Sequence, residues 1–230
     1  MSTTSSVEVH GQGGDHGHHD PNQQHHFTTM EQQLDTVKIG MWLFLATEIL
    51  LFGGLFVGFG MMQARFAQEF VEAHHHLKRL LGATNTVVLL FSSWTMVMAV
   101  HSARTNNKKK LRFFLFLTIL CACAFLGVKY FEYSADFREG LFPAKWYNHY
   151  GDNIPGSRGY ATFFSFYFMM TGLHGIHILV GIILLSWLYV KAGKDAYTSS
   201  YYTPVDMVGL YWHIVDMIWI YLFPLYYLIS

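Results

Sequence analysis

The chain has 230 residues, of which 52% are hydrophobic and only 13% charged. Ordinary soluble domains carry about 25% charged residues, so a disordered chain, a collagen-like chain and a disulfide scaffold are excluded, and 20 Phe, 14 Tyr and 6 Trp argue against a soluble globule. Fifteen basic and fifteen acidic side chains cancel, which leaves no bulk positive field for nucleic acid.

The first 37 residues are polar and hold no Lys or Arg. They lack the basic start and apolar core of a signal peptide, so the first apolar span is expected to stay in the mature chain. His16, His18, His19, His25 and His26 cluster here beside Asp15 and Asp20. Such a tract is disordered by composition and is able to bind metal weakly or to buffer protons near neutral pH. The alternative is a solvated tail with no special role. Residues 1–37 are therefore read as a His-rich, flexible arm.

Five apolar stretches follow, at about 38–62, 81–104, 111–133, 160–190 and 205–229. Each suffices for a membrane helix of about 20 residues. The runs are continuous rather than alternating, which selects helices over strands. The expected fold is an all-α integral membrane bundle of five transmembrane helices with a flexible polar arm. Arg104, Lys108, Lys109, Lys110 and Arg112 crowd the turn between spans two and three. The positive-inside rule makes that turn cytoplasmic, with the N-terminus inside and the C-terminus outside. The connection at 134–159 is expected to form an ordered loop over the outer surface.

Ionisable groups inside a bilayer mark a function or a partner. Glu48 sits mid-span with no basic residue within a helical turn. It is expected to be protonated, bonded to a neighbour, or turned towards another subunit. Gly54 and Gly58 after it have the small-xxx-small spacing of close helix contact. Lys129 and Glu132, His174 and His177, and His213 and Asp216 are each three apart and share helix faces. The first pair reads as a local ion pair near the interface, and the last as a hydrogen bond on one face. His174, His177 and His213 are also formal candidates for a metal, but HxxH without an intervening acid is weak, and hydrogen bonding between helices is the favoured reading. Cys121 and Cys123 point to different sides of a helix and read as packing residues. No nucleophile elbow, phosphate loop, dinucleotide glycine motif or zinc protease motif is present.

Five blocks in order carry a family resemblance: GMWLFLATEILLFGGLF, ATNTVVLLFSSWTMVMAVHSA, VKYFEY, TGLHGIHILVG and YWHIVDMIWIYLFPLYY. Over about residues 36–230 the chain resembles subunit III of the haem-copper respiratory oxidases, most closely the cytochrome c oxidase type, in its five-helix form. The resemblance implies a subunit with no catalytic site and no haem or copper of its own. Those groups belong to partner subunits, with subunit I in direct contact, subunit II receiving electrons, and other small subunits as further candidates. It also implies bound phospholipid, support of proton uptake, and cytochrome c as donor to a complex in the bacterial plasma membrane. Glu48 falls on the family's buried carboxylate. Asn85, Glu132, His174, His177, His213 and Asp216 fall on motif positions for interhelical bonding and for lipid or subunit I contact. A quinol oxidase subunit is the alternative, and an independent metal-handling or transport protein the remote one.

Overall fold

The computed structural model describes residues 30–75, 77–139, 141, 157–194, 197 and 201–228. The arm histidines His16, His18, His19, His25 and His26, and most of the connection expected to lie over the outer surface, fall outside those residues. The described residues form six helices: α1 (Met30–Arg65), α2 (Ala67–His74), α3 (Arg79–Arg104), α4 (Lys108–Arg138), α5 (Ser157–Gly193) and α6 (Thr203–Tyr227). All but α2 are long and apolar enough to cross a membrane, and they match the five predicted spans.

The chain divides into two units, residues 1–40 and 41–230. In the first, the helix begins at Met30, inside the stretch assigned to the arm. No Gly or Pro interrupts residues 30–39, and Lys38 lies 3.4 Å from Asp35 one turn back, an arrangement that supports an exposed helix.

In the second unit, α3 packs on α4, α4 on α5, α5 on α6, and α6 back on α3, which closes a ring of four helices. The α3–α4 turn is tight. Asn106 takes the left-handed conformation at φ 55°, which Asn tolerates better than most residues. Asn107 then caps α4, its Oδ1 accepting from Lys110 N at 3.2 Å. The core is aromatic, with Trp212, Trp219, Tyr167, Tyr226 and Tyr227 wholly buried. The outside is apolar on every spanning helix, for example Leu50, Leu80, Phe113, Phe131, Ile183 and Tyr221. Exposed apolar surface on this scale requires a bilayer.

Of the predicted pair, Gly58 faces α5, with its Cβ position 3.5 Å from the Phe166 ring, whereas a Cβ on Gly54, as on Gly53 or Gly60, would meet nothing within 4 Å. The segment after Glu48 instead meets the ring through large side chains, with Phe59 against Phe163, Phe166 and Tyr226. The tight contact lies between α5 and α6, where a Cβ on Gly181 would stand 2.5 Å from the Trp212 ring.

Helix α2 was not predicted. It is too short for a span, and its apolar residues are few. Phe70 and Ala73 bury one face, and Phe70 packs edge-on against Phe163 of α5 at 5.3 Å. Tyr160 donates to Glu72 across the same contact.

His74 ends α2 in a fixed tautomer. Arg79 only donates, so His74 Nε2, 2.7 Å away, accepts from it. Nδ1–H therefore donates to the Val71 carbonyl at 2.5 Å. Burial pushes this imidazole below its ordinary value of 6.5, and the charges of His75 and Arg79 push the same way, against the Val71 carbonyl. An unfolded His74 gains a proton more readily than the folded one. The stability held by the neutral ring is therefore complete above pH 6.5 and declines as pH falls below it. The thermal midpoint should drop further between about pH 7.5 and about pH 5.5 in wild type than in His74→Gln. Equal slopes would exclude His74 as the titrating group.

Candidate functional site: polar clusters inside the helix ring

The inner face of α4 repeats at three and four residues: Thr118, Ala122, Phe125, Lys129, Glu132 and Asp136 are all buried. Lys129 is the centre of the first cluster. Its Nζ donates to Glu132 Oε2 at 2.9 Å, to the Tyr167 hydroxyl at 3.1 Å and to the Tyr227 hydroxyl at 3.1 Å. Those bonds use all three ammonium hydrogens. Tyr227 in turn donates to Glu132 Oε1. The rings of Tyr133, Tyr167, Trp219 and Tyr227 surround Nζ at 4.9 to 5.7 Å. The expected ion pair forms, and it is buried among the helices, with side chains only 8% and 2% exposed. It joins α4 to both α5 and α6.

The second cluster joins α3 to α6. Ser93 Oγ lies 2.8 Å from His213 Nδ1. Ser92 Oγ reaches Asp216 Oδ2 at a long 3.5 Å and accepts from Trp212 Nε1 at 3.0 Å. Trp219 Nε1 donates to Thr86 Oγ1 at 3.1 Å. His213 and Asp216 share a face, as predicted, but do not bond each other. The adjacent hydroxyls of Ser92 and Ser93 take one each. On the other flank of α3, Thr95 and Thr118 of α4 meet at 2.8 Å.

The third cluster supplies the partner that the sequence did not reveal for Glu48. His177 Nε2 lies 2.8 Å from Glu48 Oε2. His177 Nδ1–H donates to the Leu173 carbonyl at 2.8 Å, because a carbonyl only accepts. At that distance the two groups are in contact, but Glu48 Oε2 makes no hydrogen bond of regular geometry. Phe52 covers the imidazole edge-on at 5.5 Å, and the Tyr211 hydroxyl donates to the His177 carbonyl at 2.9 Å. Glu48→Gln keeps a polar group against Nε2 and should shift stability by less than about 1 kcal/mol. Glu48→Leu removes it and should cost about 1–3 kcal/mol. Thermal midpoints of the two variants check this, and an equal loss in both would mean that a polar group at this position adds nothing.

His174 and His177, three residues apart, face different surroundings. His174 is wholly buried against Phe125 and Trp219. Asn85 is wholly buried on α3. Among the described residues no three His, Cys, Asp or Glu side chains converge as metal ligands, so His174, His177 and His213 form no common site. Cys121 is buried and Cys123 exposed, both unpaired. Beside the Glu48–His177 pair, Ile49, Phe52, Gly53, Phe56, Ile214 and Ile218 help line an apolar cleft of about 310 Å³.

The sequence reading named both Glu48 and His177 without pairing them, and found only part of the other two clusters. Tyr167, Tyr227, Ser92, Ser93 and Trp212 carry no local signal, since hydroxyls and rings in apolar runs look like filler until another helix is placed beside them. The resulting arrangement can tie helices together.

A profile of the family described as cytochrome c oxidase subunit III matches residues 18–230. Quinol oxidase subunit 3 of Bacillus spizizenii is 30% identical over 209 residues, covering 87% of this chain and 92% of that protein. A protein of Staphylococcus aureus named "Probable quinol oxidase subunit 3" is 28% identical over 198 residues, covering 84% of this chain and 89% of that one. The similarity runs through all five spans.

Proposed function

Because the chain belongs to the cytochrome c oxidase subunit III family, we propose that it is the non-catalytic third subunit of a proton-pumping terminal oxidase of the bacterial plasma membrane. It stabilises subunit I, holds phospholipid and supports proton uptake. Haem and copper sit in the partner subunits and none in this chain. The supporting observation is that Lys129, Glu132, Tyr167 and Tyr227, and Ser92, Ser93, Trp212, His213 and Asp216, engage one another across helices, while the buried Asn85 and His174 side chains make no hydrogen bond among the described residues. A lipid-facing exterior surrounds them, so the chain serves as a scaffold rather than a reaction centre.

The donor to the complex is quinol in this proposal. The names of the relatives favour quinol over the cytochrome c expected from the sequence resemblance. The N-terminus lies in the cytoplasm and the C-terminus in the periplasm. The basic α3–α4 turn supports that orientation. The His-rich arm then lies on the side of proton uptake and collects protons there. Deleting residues 1–30 should slow turnover more at alkaline than at neutral pH. An assembled complex with unchanged pH dependence would exclude that role.

The decisive experiment is purification from the native membrane in mild detergent. A reduced-minus-oxidised spectrum and identification of the co-purifying chains follow. Haem bands with a large haem-copper subunit are expected. A subunit II without a dinuclear copper motif supports quinol, and one with it restores cytochrome c. A colourless chain that purifies alone under complex-preserving conditions would overturn the proposal.

A further inference from the structure

Between the start of α4 and the end of α5 lies a crevice of about 540 Å³. Lys108, Lys109 and Arg112 line one wall, and Phe113, Phe116 and Tyr189 contribute the apolar part. Every charged residue of the lining is a cation. The Arg112 guanidinium is held in place, 5.2 Å over the Tyr189 ring and 3.5 Å from where a Cβ on Gly193 would stand. Phe113 and Phe116 are 61% and 54% exposed, so the apolar wall opens towards the bilayer.

The neighbouring cation shows what is missing. Arg104, at the other side of the same turn, reaches Asp206 at 2.9 Å. Lys109 and Arg112 have no carboxylate partner among the described residues. The first turn of α4 also contains no acid, so the helix macrodipole adds to the uncompensated positive charge there. Among the described residues, Lys109 and Arg112 thus carry charge without a carboxylate beside an apolar wall, in the zone where a spanning helix meets lipid headgroups.

We infer that this crevice binds an anionic phospholipid, with the phosphodiester between Lys109 and Arg112 and an acyl chain along Phe113, Phe116 and Tyr189. Basic crevices between membrane helices recognise anionic headgroups in this way. A zwitterionic lipid brings no net charge and gains little. The site lies between α4 and α5, away from the apolar cleft that Glu48 and His177 flank. The inference rests only on the chain spanning a bilayer, and it stands whether or not the donor and partner assignments hold.

The test uses the intact complex purified from its own membrane and reconstituted in phosphatidylcholine. Photoactivatable phosphatidylglycerol and photoactivatable phosphatidylcholine are compared as probes, with labelled peptides of this chain identified by mass spectrometry. Phosphatidylglycerol should label the peptides containing Phe113, Phe116 and Tyr189 in clear preference, and salt should weaken that labelling. Lys109→Gln with Arg112→Gln should reduce it roughly tenfold or more, while labelling around Phe52 and Ile218 stays unchanged. Equal labelling of the crevice by both probes would overturn the inference, as would labelling indifferent to the double substitution. The probe comparison is made on the wild type, so it decides the matter even if the double variant does not assemble.

Discussion

Glu132→Leu should be the most damaging single substitution in this chain, costing about 3–5 kcal/mol. It leaves the Lys129 ammonium in the core with two tyrosine hydroxyls and no carboxylate bonded to it. The aromatic cage offsets part of that loss, since each favourable cation–π contact contributes about 0.5–2 kcal/mol, but no ring replaces a carboxylate at 2.9 Å. The expected phenotype is loss of the chain from the purified complex or a lowered thermal midpoint. Glu132→Leu combined with Lys129→Met should be less harmful than Glu132→Leu alone, because the stranded charge is gone. The double variant would still leave Tyr167 and Tyr227 without their shared partner, so recovery should be incomplete. If the single and double variants are equally unstable, the ion pair is not what Glu132 contributes.

The second large effect is expected at Trp212, which is wholly buried and donates to Ser92 across to α3. Truncation of a buried tryptophan to alanine typically costs about 3–5 kcal/mol. Here that figure mostly reflects the cavity and the lost bond, because lipid already supplies an apolar medium. Gly181→Val adds an isopropyl group whose Cβ would itself stand 2.5 Å from the Trp212 ring, and overpacking of this kind costs about 1–3 kcal/mol. The two changes should be strongly non-additive, since the cavity left by Trp212→Ala accommodates the valine. A thermal-midpoint cycle with all four proteins measures the coupling. Additive losses would mean that α5 and α6 separate freely around this contact.

Much of the architecture was legible in the sequence because the bilayer imposes its rule one helix at a time. Backbone polar groups must be satisfied within each span, so an apolar run of sufficient length declares a helix without reference to any neighbour. The pairing of side chains obeys no such local rule. Lys129 and Glu132 were visible as a pair, since three residues along one helix fix their proximity. The Tyr227 hydroxyl that completes the pair comes from 95 residues away. His177 was visible, and so was Glu48, but nothing in either segment records that they meet. The glycines were half informative for the same reason: Gly54 and Gly58 have the right spacing, yet only Gly58 meets another helix, at Phe166, and the spacing does not say which helix lies opposite. Gly181 carries no such motif and bears the closest approach. Helix α2 was missed because eight residues with two buried apolar side chains give too weak a period to stand out from a loop.

The exterior of this chain is apolar along its spans as the interior is, which departs from the usual arrangement of a soluble domain. The large heat capacity of unfolding in soluble proteins comes from apolar surface newly exposed to water. Here Leu50, Leu80, Phe113 and Ile183 face outward in the native state and would face lipid again if the helices came apart within the bilayer. Separation of the helices should therefore carry a heat-capacity change close to zero. Its free energy should fall almost linearly with temperature, without the curvature that gives soluble domains a temperature of maximum stability and a cold-denatured state.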